Sequence, residues 1–327
     1  MLDQLVKLSN FIGNTPMKEL DHEGAALYAK LEYNNFSGSS KDRAAYSIIF
    51  HGITDGKINQ DTVIIASSSG NLAIAVASIC KLLRIRFIPV IDPNINQDYE
   101  VLLNLISYKV VKVTERDKTG GYLLTRIQTV TEMCAAIKNS FCADQYGDPN
   151  NFKGYYGLGN EIIGALDHVD YIFVAVSSSG AITGISQSVK KLRPAVQIIG
   201  VDVLGSVIFG QAPGKRYISG IGASQVPPIM EHAIIDEVIH VSQNDIVKGA
   251  VALLHEQAIF AGASSGAVYF AVKQYFSERQ PGPKPVAVLI FPDKGAAYLD
   301  TVYNKEWTDE LAIKLQESNN QLTSVLP

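Results

Sequence analysis

Residues 62–71 read Thr-Val-Ile-Ile-Ala-Ser-Ser-Ser-Gly-Asn: a short β-branched run that breaks into small hydroxyl residues and glycine before a helical pattern begins. A strand that is apolar along its whole length has cover on both faces, which is the condition of a parallel sheet sandwiched between helices. The same grammar recurs at Arg86 to Ile91, Lys109 to Val113, Tyr171 to Val176, Gln197 to Val201 and Val286 to Phe291, with helical stretches between them. It predicts an α/β architecture of two doubly wound, mostly parallel sheets. The length of 327 residues, nearly half of them apolar, suits two domains. A turn-rich cluster, Gln145 to Asn151, marks the seam, giving an N-terminal domain over 1–147 and a C-terminal domain over 148–327. Gln211 to Gly222 is a second turn-rich segment.

The formal net charge is −4 and the basic residues are dispersed. This argues against nucleic acid and an anionic membrane surface, and for small-molecule ligands. The first residues carry no basic stretch followed by an apolar core, and no apolar run is long enough to span a bilayer, so the expected location is the cytoplasm. Cys80, Cys134 and Cys142 fall in helix or strand patterns, where small buried hydrophobes are expected, and their odd number gives no disulfide framework. The six histidines lack metal-ligand spacing, so no metal site is expected. Gly210 to Arg216 imitates a P-loop but is too short and lacks Ser or Thr after the lysine.

Three junctions share one signature: Ser67-Ser68-Ser69-Gly70-Asn71, then Ser177-Ser178-Ser179-Gly180-Ala181-Ile182-Thr183-Gly184, then Gly262-Ala263-Ser264-Ser265-Gly266-Ala267. Each reads as a strand-to-helix turn whose free N–H groups and hydroxyls can receive an anion or a polar ring. For any one of them, plain capping of a helix by serine explains the residues as well. Together they belong at the carboxyl ends of open sheets, where ligands bind, facing one crevice. A further segment, Asn34 to Arg43 (Asn-Asn-Phe-Ser-Gly-Ser-Ser-Lys-Asp-Arg), places Lys41 at the mouth of a helix. There the positive helix end and Arg43 favour the neutral amine that a Schiff base to a carbonyl cofactor requires; the alternative is an ordinary surface lysine.

These segments, in this order and spacing, resemble the fold-type II pyridoxal-phosphate enzymes, the cysteine synthase and cystathionine β-synthase group. The likeness starts at Gly13-Asn14-Thr15-Pro16, takes in Asn35 to Arg43, the three serine-rich turns, Gln145 and Gly220-Ile221-Gly222-Ala223, and reaches Pro292 to Leu299. Within the group the chain is most similar to the siderophore-pathway branch that makes N-(2-amino-2-carboxyethyl)-L-glutamate, a precursor of 2,3-diaminopropionate, from O-phosphoserine and glutamate. Gly120 to Arg126, Gly205 to Gly210, Gly222-Ala223-Ser224 and Pro292 to Asp300 carry that closer likeness.

The resemblance implies a cofactor, pyridoxal 5'-phosphate, in the cleft between the sheets and joined to Lys41. It implies Asn71 at the ring hydroxyl, Ser177, Ser178, Ser179, Gly180, Ala181 and Thr183 at the phosphate, and Ser264 at the pyridine nitrogen. A serine there makes the ring a modest electron sink, which favours loss of a β-leaving group. Ser68, Ser69, Gln145 and Gly220 would hold the amino-acid substrate, and Arg126, Tyr146 and Ser179 would line the place of the second one. The implied reaction is β-replacement on an O-activated serine through an aminoacrylate, with glutamate as nucleophile. Sulfide, as in cysteine synthases, is one alternative, and a non-catalytic homologue that binds cofactor or amino acid is another. The resemblance further implies a homodimer, with residues from about 12 to 35 packed on the second domain. The chain departs from the group at Phe36 (usually proline), Ala66 (glutamate), Ser68 (threonine), Ala73 (glycine) and Gln225, where the nearest branch has arginine.

Overall fold

The computed structural model describes residues 1–277 and 283–323, with side chains described to residue 317 in the last helix. The chain opens with α1 (Leu2–Leu8) and the hairpin β1 (Met17–Leu20) and β2 (Ala26–Leu31), then enters α2 (Lys41–Thr54). A first alternation follows: β3 (Val63–Ser67), α3 (Asn71–Leu83), β4 (Arg86–Ile91), α4 (Gln97–Ile106), β5 (Val111–Lys112), α5 (Leu123–Ala136) and β6 (Ser140–Cys142). After α6 (Pro149–Lys153) and α7 (Tyr156–Ala165) comes a second: β7 (Tyr171–Ala175), α8 (Gly180–Leu192), β8 (Gln197–Val203), β9 (Glu237–Val241), α9 (Gln243–Gln257), α10 (Ala263–Ser277), β10 (Val286–Phe291) and α11 (Lys305–Thr323).

The strands form two sheets, one ordered β5-β4-β3-β6 and the other β1-β2-β10-β7-β8-β9. Every described pairing is parallel except that of β1 with β2. The predicted α/β architecture is therefore observed, and the two runs Arg86–Ile91 and Val286–Phe291 coincide with strands at both ends. Four strands lacked a readable signal. β1 is a four-residue edge strand with Lys18 and Glu19 exposed, β6 has three residues, and β9 is the opposite edge of the larger sheet. β2 is central, but Lys30 interrupts its apolar run and is nevertheless buried.

Lys30 is tolerated because charge surrounds it. Its ammonium meets Glu161 at 2.7 Å, Glu161 takes both Arg43 Nη1 and Nη2 at 2.8 Å, and Arg43 Nε donates to Glu32 at 2.6 Å. Thr15 Oγ1 and Asn35 Nδ2 also donate to Glu32. Buried charges persist only when paired and hydrogen-bonded in this way. The cluster binds β2, α2 and α7 together and fixes where α2 begins.

A continuous apolar core joins the sheets: Ile64 and Ala66 of β3, Leu72 of α3, Ile172 of β7, Ile182 of α8 and Ile290 of β10 belong to one cluster. Each buried leucine or isoleucine among them contributes about 1.5–3 kcal/mol. Ala66 and Ala73, two of the departures, are wholly buried in it, and Phe36 is exposed. The cysteines correct the expectation that all three are buried. Cys80 is buried in α3, Cys134 is intermediate, and Cys142 is exposed because β6 is an edge paired only with β3.

Candidate active site

The lysine loop is stitched to the far end of the chain. Ser39 bridges to Asp293, and the Ser40 N–H donates to the Pro292 carbonyl at 2.8 Å, so α2 starts against the turn that leaves β10. Lys41 is the first residue of α2. Burial lowers its pKa, and the charge of Asp293 opposes that shift. Arg43, expected to favour the neutral amine, does not act on it, because its guanidinium is spent on Glu32 and Glu161. Desolvation, with the helix start, is the cause that remains.

Asp293 also draws Asn71 into the same place. Asn71 Nδ2 donates to Asp293 Oδ2 at 2.8 Å, the Tyr298 hydroxyl donates to the same oxygen at 3.0 Å, and the Tyr99 hydroxyl donates to Asn71 Oδ1 at 2.7 Å. Asn71 opens α3, so this chain of bonds crosses from the smaller sheet to the larger one. Gly220, at φ +87°, lies against the Tyr298 hydroxyl.

The turn after β7 is built for an anion. Ser179 is the N-cap of α8 at φ +66°, its hydroxyl and that of Ser178 are buried without a partner, and no side chain caps the helix. Free N–H groups at the start of a 13-residue helix carry partial positive charge, so the turn favours an anion, and the two orphaned hydroxyls are further donors beside it. The Ser177 hydroxyl is committed to the Gly222 carbonyl at 3.1 Å, and Thr183 Oγ1 reaches the Ile229 carbonyl at 3.4 Å. Ala181 lies in the first turn of α8. Gly180 and Gly184 are required by contact: a Cβ would sit 2.1 Å from Asn151 Oδ1 and 2.1 Å from the Phe152 carbonyl. The third junction is not a strand-to-helix turn as expected. It joins α9 to α10, and a single bridge from Ala261 to Lys294 brings it to the turn after β10. Ser264 is buried in the first turn of α10.

After β3, Ser68 Oγ accepts from the Gly70 and Ala73 N–H groups, so here the capping explanation holds. Ser69 is occupied differently. Its hydroxyl donates to Asp92 Oδ2 at 3.0 Å and accepts from the Asp92 N–H and from Arg126 Nη1, the latter at 2.8 Å. Arg126 Nε lies 3.2 Å from Asp92 Oδ2. Gln145 Nε2 donates to the Ser67 carbonyl at 3.0 Å, which sets it beside the same loop. Tyr146 feels the Arg126 charge, and burial raises its pKa. Sequence reasoning assigned no role to Asp92, Tyr99, Asp293 or Tyr298. The available signal was position: Asp92 and Asp293 stand just past strands that end in buried apolar runs.

Comparison with known proteins bears on this geometry. The family described as pyridoxal-phosphate dependent enzyme matches residues 8–293. The chain belongs to that family. It is 42% identical to the N-(2-amino-2-carboxyethyl)-L-glutamate synthase of Ralstonia nicotianae over 92% of this chain and 90% of the relative. The synthase of the same name from Cupriavidus metallidurans is 40% identical over 93% and 91%. Among solved structures, the O-acetylserine dependent cystathionine β-synthase of Helicobacter pylori is similar with a TM-score of 0.83 at 27% identity, covering 91% of this chain and 98% of that one. The protein is a pyridoxal-phosphate dependent enzyme of the β-replacement type with the fold of that group. The orphaned hydroxyls at α8, the desolvated lysine and the carboxamide of Asn71 suit a phosphorylated aromatic aldehyde.

Proposed function

We propose that the enzyme replaces the β-substituent of an O-activated L-serine, O-phospho-L-serine, with the amino group of L-glutamate, giving N-(2-amino-2-carboxyethyl)-L-glutamate. The observation that carries the choice of nucleophile is Arg126, a guanidinium held by Asp92 and Ser69 beside the substrate loop. A planar fork of this kind matches a carboxylate, and sulfide has no use for it. The names of the two relatives support the same reading.

In this reading Lys41 holds the cofactor, Asn71 meets its ring hydroxyl, the Ser177–Thr183 turn takes its phosphate through backbone N–H groups and the hydroxyls of Ser178 and Ser179, and Ser264 faces the ring nitrogen. When bound, pyridoxal 5'-phosphate supplies the electron sink that acidifies the substrate Cα proton. Lys41, once free, takes that proton as general base. The Ser68 hydroxyl hydrogen and the Ser69 N–H, with Gln145, hold the first substrate's carboxylate, since the Ser68 and Gly70 N–H groups are given to the Val90 carbonyl and to Ser68 Oγ. The Ser69 hydroxyl has its donor and both acceptor positions filled, so its N–H group is the donor it can offer while Arg126 stays in place. We further read the protein as a cytoplasmic homodimer working on amino acids toward 2,3-diaminopropionate. Among the described residues no helix is long and apolar enough to cross a membrane.

Mass spectrometry of products tests the reading. Purified protein is given O-phosphoserine or O-acetylserine with glutamate or sulfide. The glutamate adduct from O-phosphoserine is expected; cysteine as the main product under competition would replace this reading with a cysteine synthase, and no product at all would leave a binding protein.

A further inference from the structure

We propose that Asp293 is a positioning residue of the reaction: its carboxylate holds the Asn71 carboxamide from one oxygen and presents the other toward Lys41, as the fixed counter-charge of that amine whenever it carries a proton. The inference rests on the reading of Lys41 as the cofactor-bearing lysine and assigns a new role beside it.

The geometry begins in the backbone. The bridge from Ser39 to Asp293 and the bond from Ser40 to Pro292 place the acid opposite the first turn of α2. The side chain cannot swing away, because Gly262 is pressed against it; a Cβ there would lie 2.0 Å from Asp293 Oδ1. Oδ2 is saturated by Asn71 and Tyr298, whereas Oδ1 is buried with no hydrogen-bond partner. A residue only 4% exposed that keeps an unfilled carboxylate oxygen has an acceptor position open to a cation or a donor.

The groups that face it decide which. Tyr99, Tyr298 and Tyr303 share its field, and burial pushes all three phenols up, so they remain neutral. Burial raises the Asp293 pKa, while the hydrogen bonds from Asn71 and Tyr298 and the charge of Lys41 pull it back down; the charge of Asp293 in turn opposes the lowering of Lys41 by burial. Proton abstraction breaks the substrate Cα–H bond, leaves its electron pair on the substrate and forms an N–H bond on Lys41. The resulting ammonium would stand in a dry cleft, and Asp293 Oδ1 is the acceptor set there for it. The same carboxylate keeps Asn71 Nδ2 on one of its two hydrogens, leaving the other for the ring hydroxyl.

The test compares wild type, Asp293→Asn, the smaller neutral Asp293→Ser, and Tyr298→Phe, which keeps the charge. Lys41 in cofactor-stripped protein is titrated by its labelling rate with trinitrobenzenesulfonate across pH, and each holoenzyme is assayed for kcat and KM. Both neutral variants should move the labelling midpoint down by about one to three pH units, the range for losing an adjacent opposite charge. Lys41 thus becomes more reactive near neutrality while kcat falls about a hundredfold, the scale of a general-base contribution. Tyr298→Phe should leave the midpoint near wild type. An unmoved midpoint in the neutral variants overturns the proposal even if turnover drops, and so does an equal shift in Tyr298→Phe. Borohydride trapping of the cofactor on Lys41 in wild type reports separately on the reading of the lysine itself.

Discussion

Replacing Glu161 by glutamine should expose how much the buried charge cluster contributes. Its carboxylate accepts from Lys30 at 2.7 Å and twice from Arg43 at 2.8 Å, and its side chain is 17% exposed. Burial alone would raise its pKa, but the bonds and charge of Arg43, then Lys30, outweigh that and bring it from an ordinary 4.5 to about 2. A difference of about 2.5 pH units at 1.36 kcal/mol each is about 3 kcal/mol. The pKa is depressed in the folded state, so this stability is fully present above pH 4.5 and is lost as pH falls toward 2. Glu161→Gln should therefore lose about 3 kcal/mol at pH 7, a scale also reached by stripping a partner from a buried ion pair. The gap from wild type should narrow as pH drops below 4.5. Urea unfolding at a series of pH values between 7 and 3 measures it. A loss under about 1 kcal/mol at pH 7, or one that does not change with pH, refutes the assignment of the cluster as the source of stability.

Lys41→Ala should fold with an unchanged far-ultraviolet spectrum, yet bind no covalent chromophore and lose turnover altogether; residual activity within tenfold of wild type would contradict the general-base role. Arg126→Ala should raise the KM for glutamate at least about tenfold, and by more than it raises the KM for O-phosphoserine or sulfide, where only the loosened Ser69 loop is felt, as steady-state assays with each nucleophile will show. Gly184→Ala should cost about 1–3 kcal/mol through its clash with the Phe152 carbonyl, read as a lower unfolding midpoint. Ser179→Gly should stabilise the cofactor-free protein by about 1 kcal/mol, since a left-handed residue loses its strain, while weakening cofactor binding through the missing hydroxyl. Calorimetry with and without cofactor separates the two effects.

The sequence made the buried parallel strands legible because their apolar runs are uninterrupted, as at Val286–Phe291. β2 escaped because Lys30 breaks its pattern, and the ion pairs that permit Lys30 come from residue 161, far away in the chain. The serine-rich turns were legible as a class, but not their division of labour. Ser68 receives the N–H groups of Gly70 and Ala73 close by, Ser69 is locked between the remote Asp92 and Arg126, and Ser178 and Ser179 are left unpaired, a division that like-looking serines do not announce. The same holds for the third junction. Its place at the turn after β10 depends on one bridge, so it was read as following a strand. Asp293 in the sequence is one residue of the Pro292 to Asp300 motif; its weight comes from Asn71, 222 positions earlier.

β2 lies hydrogen-bonded to β10 along its whole length, Ala26 beside Val286 through Leu31 beside Phe291. During synthesis, the segment that will seat the lysine therefore leaves the ribosome some 260 residues ahead of the strand it must pair with. Contacts this remote in sequence close slowly, and an apolar strand kept waiting is prone to stray association. The surroundings of Lys41 are thus complete only when nearly the entire polypeptide has been made. A fragment ending before residue 286 would lack both the strand that pairs with β2 and the acid that bridges to Ser39 beside the lysine.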